Sequence, residues 1–290
     1  MLESRGVAII TDSSACLPEE LIRKYGIEIV PMEFSLDGKI YRDGVDISPL
    51  NFYKLLSQLK ETPTTSAPPP ITYYEVFRKV AKRTQHVLAV SVTSKFSHAF
   101  DSARAGSEMA KKEFPGITLK VLDCGTAAGA QGLLVMAAAR AAASGESLSR
   151  IIEIARALMP RVHLVAFIDT LYYLAKGGRV PEVAAWASSL LKIKPVVELL
   201  PLGEGVVSVG RVRARSRATE RLVEVLRERT SNKPIHVMVM HTNVLMEAER
   251  LKEWIASEFN CLENYVVDFT PVMGCHTGPG LLGIAFYTDN

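Results

Sequence analysis

VLAVSVTSKFSHAFDSA, residues 87–103, opens with a β-rich apolar run from Val87 to Val92. It then passes through the hydroxyl-rich turn Thr93-Ser94-Lys95-Phe96-Ser97 and continues as an Ala- and Ser-dotted helix. Strand, turn and helix in this order form one unit of an α/β fold. The first turn of such a helix presents unpaired backbone N–H groups and the positive end of the helix dipole, and the Ser97 hydroxyl adds a donor. Two uses are open: Ser94 or Ser97 caps its own helix, or the turn receives an anion.

Similar units flank it. Gly6 to Thr11 reads as a buried parallel strand whose C-terminal tip is Asp12-Ser13-Ser14. Ligands of open α/β sheets sit at such tips, so Asp12, Ser13 and Ser14 are site candidates; a turn and cap cluster is the other reading. Pro18 opens a short helix to about Tyr25, Ile27 to Met32 is a second strand, and two Asp-Gly pairs in SLDGKIYRDG, residues 35–44, predict a hairpin. Ser48-Pro49 starts a helix whose Leu50, Tyr53, Leu55, Leu56 and Leu59 make one broad apolar face. The stretch from Glu61 to Pro70 is the strongest loop signal in the chain. Three consecutive prolines fix φ and remove three N–H donors, giving either a structural corner or a stiff loop that holds Thr65 and Ser66 with little ordering cost on binding.

A helix over 71–84 precedes the opening stretch, and Phe114-Pro115-Gly116 stops the helix that follows it. Thr118 to Leu122 is a strand ending at Asp123, which feeds the Gly- and Ala-rich start from Cys124 to Gly132. Its spacing matches neither the dinucleotide fingerprint nor the P-loop, so close packing is the expected use of these glycines. Helices over 127–144 and 147–159 close a first α/β domain, residues 1–160. The second, 161–290, begins with the strand Val162 to Ile168. Asp169 is then positioned to cap a short helix that Gly177-Gly178 ends, presenting Arg179 to a carboxylate, a phosphate or an interdomain acid. A helix over 181–190 precedes two or three strands within 194–213. Arg211, Arg213, Arg215 and Arg217 alternate with period two, a docking face for an acidic partner or a solvated face. Helix 216–230, strand 235–240, helix 243–258, strand 263–269 and strand 281–287 complete the alternation. His276 stands in a loop rich in glycine and proline, where its ring can be held near a ligand.

The chain of 290 residues, 48% hydrophobic and 22% charged, is long enough for two modest domains, and a net charge of +3 falls short of a nucleic-acid binder. The cysteines at 16, 124, 261 and 275 have no tight metal-ligand spacing and read as reduced thiols of a cytoplasmic protein. Neither a secretion signal nor a membrane span is expected, only transient contact with a membrane surface.

Strand-TDSS at the N-terminus, T-S-x-P at 65–68, S-K-F-S at 94–97 with D-S-A at 101–103 and V-L-D at 121–123 are followed by D-T-L-x-Y-L-x-K-G-G-R at 169–179, K-P at 194–195 and H-T-G-P-G-x-x-G at 276–283. Together and in this order they resemble the DegV family over nearly the whole chain. The resemblance implies two α/β domains, the first with a mostly parallel sheet flanked by helices and the second with a mixed sheet, and a long-chain fatty acid between them. It implies the role of fatty-acid-binding subunit, with a separate fatty acid kinase phosphorylating the bound carboxylate to an acyl phosphate and no cofactor or metal held here. The family's carboxylate-binding hydroxyls fall on Thr65 and Ser97, beside Ser66 and His98; Arg179, His276, Asp12 and Ser13 fall in the supporting network. Arg211, Arg213 and Arg215 are the expected kinase docking residues. Where the family pattern continues with Gly-Thr this chain has His98-Ala99, and Cys124 replaces a Ser. His98 either narrows the head-group pocket, adds a donor or points to solvent. Leu133 to Met136 and Trp186 to Leu191 are core segments or walls of a tail tunnel.

Two other functions compete. A stand-alone hydrolase or acyl transferase acting on a lipid-like acid or ester would use Ser97 or Cys124 as nucleophile and His276 as base, although neither stands in a G-x-S-x-G elbow. A lipid-sensing regulator would differ only in its partners.

Overall fold

Four apolar runs make the first sheet. β1 (Val7–Asp12), β2 (Glu28–Val30), β6 (His86–Ser91) and β7 (Thr118–Asp123) pair in parallel in the order β2-β1-β6-β7. The computed structural model describes residues 6–59, 61–180, 193–231 and 233–289; the helix expected over 181–190 and the run 186–191 lie outside them. Helices α1 (Glu19–Tyr25), α3 (Pro70–Ala81) and α4 (Ala99–Glu113) intervene in the chain, as parallel pairing requires. The Asp37-Gly38 turn joins β3 (Glu33–Leu36) to β4 (Lys39–Arg42) in the expected hairpin.

The Thr65-Ser66 segment is not a plain loop. Thr64–Ser66 forms a short strand, β5, on the free edge of β3, ahead of the prolines that end its pairing. α2 (Pro49–Leu56) buries Phe52, Tyr53 and Leu56, while Leu50 and Leu55 face outward, so its apolar face is rotated from the expected one. Phe52 decides that rotation by packing edge-on against Phe34 of β3.

The second sheet has six strands in the order β10-β9-β8-β13-β11-β12. These are β8 (His163–Phe167), β9 (Lys194–Leu199), β10 (Val206–Val212), β11 (Ile235–His241), β12 (Cys261–Asp268) and β13 (Leu282–Thr288). Only β11 and β12 pair in parallel; the rest are antiparallel, which makes the sheet mixed. α7 (Tyr172–Gly177), α8 (Arg215–Thr230), α9 (Leu245–Glu258) and α10 (Pro271–Thr277) complete this half, with α8 and α9 packed on one face of the sheet through Leu222, Leu226, Leu251 and Ile255. Among the described residues no helix is long and apolar enough to cross a membrane.

α5 (Ala128–Ala143) joins the halves, with α6 (Leu148–Leu158) following it. It is buried from Ala128 through Ala139, packing Leu133, Leu134 and Met136 in one core with Ile9 and Leu88 of the first sheet and Met238, Met240 and Ala285 of the second. Its glycines serve the close packing expected of them. A Cβ on Gly132 would stand 2.6 Å from the Ala15 carbonyl oxygen and 3.2 Å from Met238 Sδ. Gly132→Ala should therefore cost about 1–3 kcal/mol of stability by overpacking, read from urea unfolding. An unchanged midpoint would show that the helix can shift.

Candidate functional site

The opening stretch is built by the tip of its neighbouring strand. The Asp123 carboxylate accepts the N–H groups of Ser94 at 3.1 Å and Gly125 at 2.9 Å, and Thr93 N–H donates to the Thr126 carbonyl at 3.0 Å. Thr93-Ser94-Lys95-Phe96-Ser97 is thus held as a fixed turn. The helix starts two residues later than expected, at Ala99, and the Ser97 hydroxyl accepts the Ala99 N–H at 3.1 Å. The cap position itself is His98, which makes no side-chain cap bond; the Ser97 bond uses the hydroxyl as acceptor and leaves its proton free to donate.

That turn forms one wall of a cavity of about 810 Å³. Its polar lining residues include Thr65, Ser66, Ser94, Lys95, Ser97, His98, Arg179 and His276; the remainder is largely apolar, with Leu164 and Ala166 from β8, Val197 and Leu199 from β9, Val206, Phe269, Met273 and Leu281. The six-stranded sheet and β5 contribute strand residues to the lining, and the segments just past the ends of β1, β2 and β6 contribute Ser14, Met32 and Val92. Leu133 to Met136 do not; they are core.

His276 is not in a loop. Pro271 occupies the first position of α10, where a missing N–H costs nothing, and His276 lies in the last turn. Its Nε2 is 2.8 Å from Thr65 Oγ1. Its Nδ1 is buried without a partner, against Gly177, where a Cβ would come within 2.5 Å of it. Burial, with the nearby Arg179 charge, lowers the His276 pKa to about 4, so the ring is neutral at pH 7. Placing the proton on Nε2 leaves an unpaired lone pair at Nδ1 rather than an unpaired N–H, and lets Thr65 accept from His276 while donating into the cavity.

The structure therefore places Thr65, Ser97, Arg179 and His276 in the lining of one cavity, with Thr65 bonded to His276 and Arg179 near that ring. Arg179 is exposed, its guanidinium 2.9 Å from the Gly177 carbonyl, and Gly178 turns the chain there with φ +65°. Ser66 and His98 stand at the rim: the Ser66 hydroxyl is 3.4 Å from a Glu33 carboxylate oxygen, and the His98 side chain, 93% exposed, is turned to Asp101 at 3.5 Å. Of the three ways His98 was free to act, it points to solvent.

Asp12 and Ser13 do not line the cavity. Asp12 is fully buried and accepts from Val92 N–H at 2.9 Å, Gln131 Nε2 at 3.2 Å and both the backbone and hydroxyl of Ser14; Ser14 is the tip residue that reaches the lining. Burial raises the Asp12 pKa while these donors oppose it. Gln131 is a site-supporting residue that the sequence reading passed over. Its signal was a lone amide in an otherwise apolar helix.

Asp169 caps nothing. Thr170 Oγ1 accepts the Tyr172 N–H at 3.2 Å, while Asp169 pairs with Lys194 at 2.5 Å and Arg215 at 2.7 Å. The arginine alternation breaks because β10 ends at Val212 and α8 begins at Arg215. Arg211 and Arg213 are exposed, but Arg215 is held by Asp169, by Glu247 at 2.7 Å and by the Gly280 carbonyl at 2.8 Å. Cys124 lies outside the cavity lining, its thiol 3.2 Å from the Thr126 carbonyl and its pKa pushed well up by burial. Neither Cys124 nor Ser97 is hydrogen-bonded to His276; Thr65 is. Among the described residues no group of three His, Cys, Asp or Glu is placed to hold a metal.

The chain is an α/β protein whose largely apolar cavity also carries hydroxyls, an imidazole and a guanidinium in its lining. The chain matches the family model described as "Uncharacterised protein, DegV family" over residues 6–289, and it belongs to the DegV family. A DegV domain-containing protein of Clostridium perfringens is 32% identical over 286 residues, covering 98% of this chain and 99% of its own. Among solved structures, a DegV family protein from Thermus thermophilus described by its fatty acid binding is 29% identical with a TM-score of 0.87, covering 98% of this chain and all of its own. A stearic acid-binding protein from Eubacterium ventriosum is 26% identical with a TM-score of 0.90, covering 97% and 98%.

His276 gives a test of this geometry. Its folded pKa lies below the ordinary 6.5, so as pH falls the unfolded chain takes the proton first. Its contribution is intact above about pH 6.5 and fades as pH drops toward 4. The stability lost between pH 7.5 and 4.5 should be smaller in His276→Gln than in the wild type by about 2 kcal/mol, measured by urea unfolding. Equal losses would place a charged or exposed ring at this position.

Proposed function

We propose that this protein binds a long-chain fatty acid in the cavity and presents its carboxylate to a partner kinase for conversion to an acyl phosphate. The observation that carries the reading is a largely apolar cavity of about 810 Å³ whose lining includes Ser97, Arg179 and Thr65, the last paired with His276. The related proteins of T. thermophilus and E. ventriosum are described as binding fatty acid and stearic acid, respectively, which supports it.

The reading makes physical sense in two parts. A carboxylate leaving water needs donors or positive charge, since an unpaired buried charge is prohibitively costly. Thr65 and Ser97 donate, and Arg179 supplies the charge that a neutral His276 does not. The tail is the larger contribution: roughly 14 buried methylenes at about 0.8 kcal/mol each give on the order of 11 kcal/mol before association costs. Head-group contacts then set orientation more than affinity. In this reading the ligand lies between units 1–160 and 161–290, Ser66 and His98 border the head group from the rim, and Asp12 and Ser13 support the site from behind. Arg211 and Arg213 are the docking residues for the kinase, with Arg215 committed to its own ion pairs.

Mass spectrometry of an organic extract of the purified protein should find a bound acid of about 16 to 18 carbons, the size that fits the tail arithmetic above. Esterase turnover with no such acid would favour the enzyme. Thr65→Ala with Ser97→Ala should lower acyl-phosphate production by the kinase by more than about tenfold while changing fatty-acid affinity less, because the tail dominates binding. Unchanged production would remove these hydroxyls from the site. Reversing the charge of Arg211 and Arg213 together should weaken the kinase complex and flatten its salt dependence; equal affinity and slope would rule the face out.

A further inference from the structure

Asp43 is a buried carboxylate to which the lipid reading gives no task. It follows β4, is 1% exposed, and donates its backbone N–H to the Met32 carbonyl at 2.8 Å. Its two carboxyl oxygens serve two distant parts of the chain. Oδ2 accepts the Ser13 hydroxyl at 2.6 Å, and Oδ1 accepts the Val272 N–H at 3.3 Å. The Ser13 hydroxyl accepts the Met32 N–H in turn, at 3.0 Å. Val272 is the second residue of α10, whose first residue, Pro271, has no N–H and whose cap residue, Thr270, offers no side-chain cap bond. The start of this helix is therefore tied by a residue 229 positions away in sequence. One helical turn on from Val272, on the same side, stands His276.

We propose that Asp43 is a positioning residue of the head-group site: its ionised carboxylate pins the start of α10 to the tip of β1 and so sets His276 at bonding distance from Thr65. The ligand involved rests on the fatty-acid reading, whereas the positioning itself does not. An amide is a poor replacement, because both carboxyl oxygens accept and Asn offers one acceptor and one donor group. The titratable groups facing Asp43 are Asp12 at the end of β1, Cys16, Tyr53 of α2 and Cys275 of α10. Burial pushes its pKa up to about 6, held back by the Ser13, Thr270 and Val272 donors, which leaves it ionised at neutral pH. This carboxylate also accounts for why Ser13 stands near the site without lining it.

Asp43→Asn and, as a milder change, Ser13→Ala in the full chain test this, with two measurements on each. The first is the titration of the His276 ring by ¹⁵N NMR, which a general loss of stability would not move in a chain that remains folded. The second is palmitate affinity by calorimetry. In Asp43→Asn the His276 midpoint should rise from about 4 toward the ordinary 6.5 as the ring loses its packed position, while palmitate affinity, set mainly by the tail, should fall by no more than about threefold. Ser13→Ala should move both in the same direction by less. A folded Asp43→Asn protein with an unchanged His276 midpoint overturns the proposal; if that variant does not fold, an unchanged midpoint in Ser13→Ala does so. Wild-type protein that fails to bind palmitate overturns the fatty-acid reading instead, and the His276 titration still decides the role of Asp43.

Discussion

A helix buried between two sheets has no water to satisfy its polar groups, and α5 is such a helix. Its side chains from Ala128 to Ala139 are shielded, so its one amide, Gln131, must find partners inside the protein. It finds them at the tip of β1, donating to Thr11 Oγ1 at 3.0 Å and to Asp12 Oδ1 at 3.2 Å, with its carbonyl oxygen 3.0 Å from the Ser14 hydroxyl. Asp12 then holds Val92 N–H, the last residue before the hydroxyl turn. One buried amide thereby couples the helix that joins the two sheets to the strand tip and the turn that form a wall of the cavity. Loss of that amide would leave Asp12 buried with fewer donors, and the low internal dielectric makes each missing bond expensive.

Most of the architecture was legible because its signals are local. Continuous apolar runs ending in Asp12-Ser13 and Asp123 are what buried parallel strands look like, and the Asp37-Gly38 turn specifies a hairpin without help from the rest of the chain. Where the reading slipped, tertiary contacts had overridden local pattern. Leu50 and Leu55 satisfy helical spacing as well as Phe52 does, but only Phe52 meets Phe34 across the small sheet. Thr64–Ser66 has the composition of a loop and becomes a strand because β3 leaves an edge open beside it. The helix carrying His276 is short and contains both Pro271 and Gly274; Tyr53 and Phe52 press on Gly274 so closely that a side chain there would not fit.

The site divides in the same way. Thr65, Ser97, Arg179 and His276 could be named because turn chemistry and family motifs mark them one by one. Their distances could not, since the Thr65–His276 bond spans 211 positions. Asp43 was invisible for a related reason: in RDGVDIS it reads as the first residue of an Asp-Gly turn, and nothing local says that its carboxylate faces inward. The alternation of Arg211, Arg213, Arg215 and Arg217 misled because period two has meaning only while the chain stays extended. After Ala214 it does not, and Arg215 is drawn to Asp169 and Glu247 by burial over the Phe167 ring.

The protonation of His276 ties the site's electrostatics to its geometry. A charged imidazole would stand beside the Arg179 cation, and burial alone already disfavours the charge. Keeping the ring neutral leaves a directional donor for Thr65 and no like charge against Arg179. For a carboxylate whose tail supplies most of the binding energy, that is the useful arrangement. In the proposed fatty-acid role a fixed imidazolium would add affinity where little is needed, whereas an aligned hydroxyl orients the carboxylate. Under that role the hydroxyls and the neutral ring orient the head group more than they hold it.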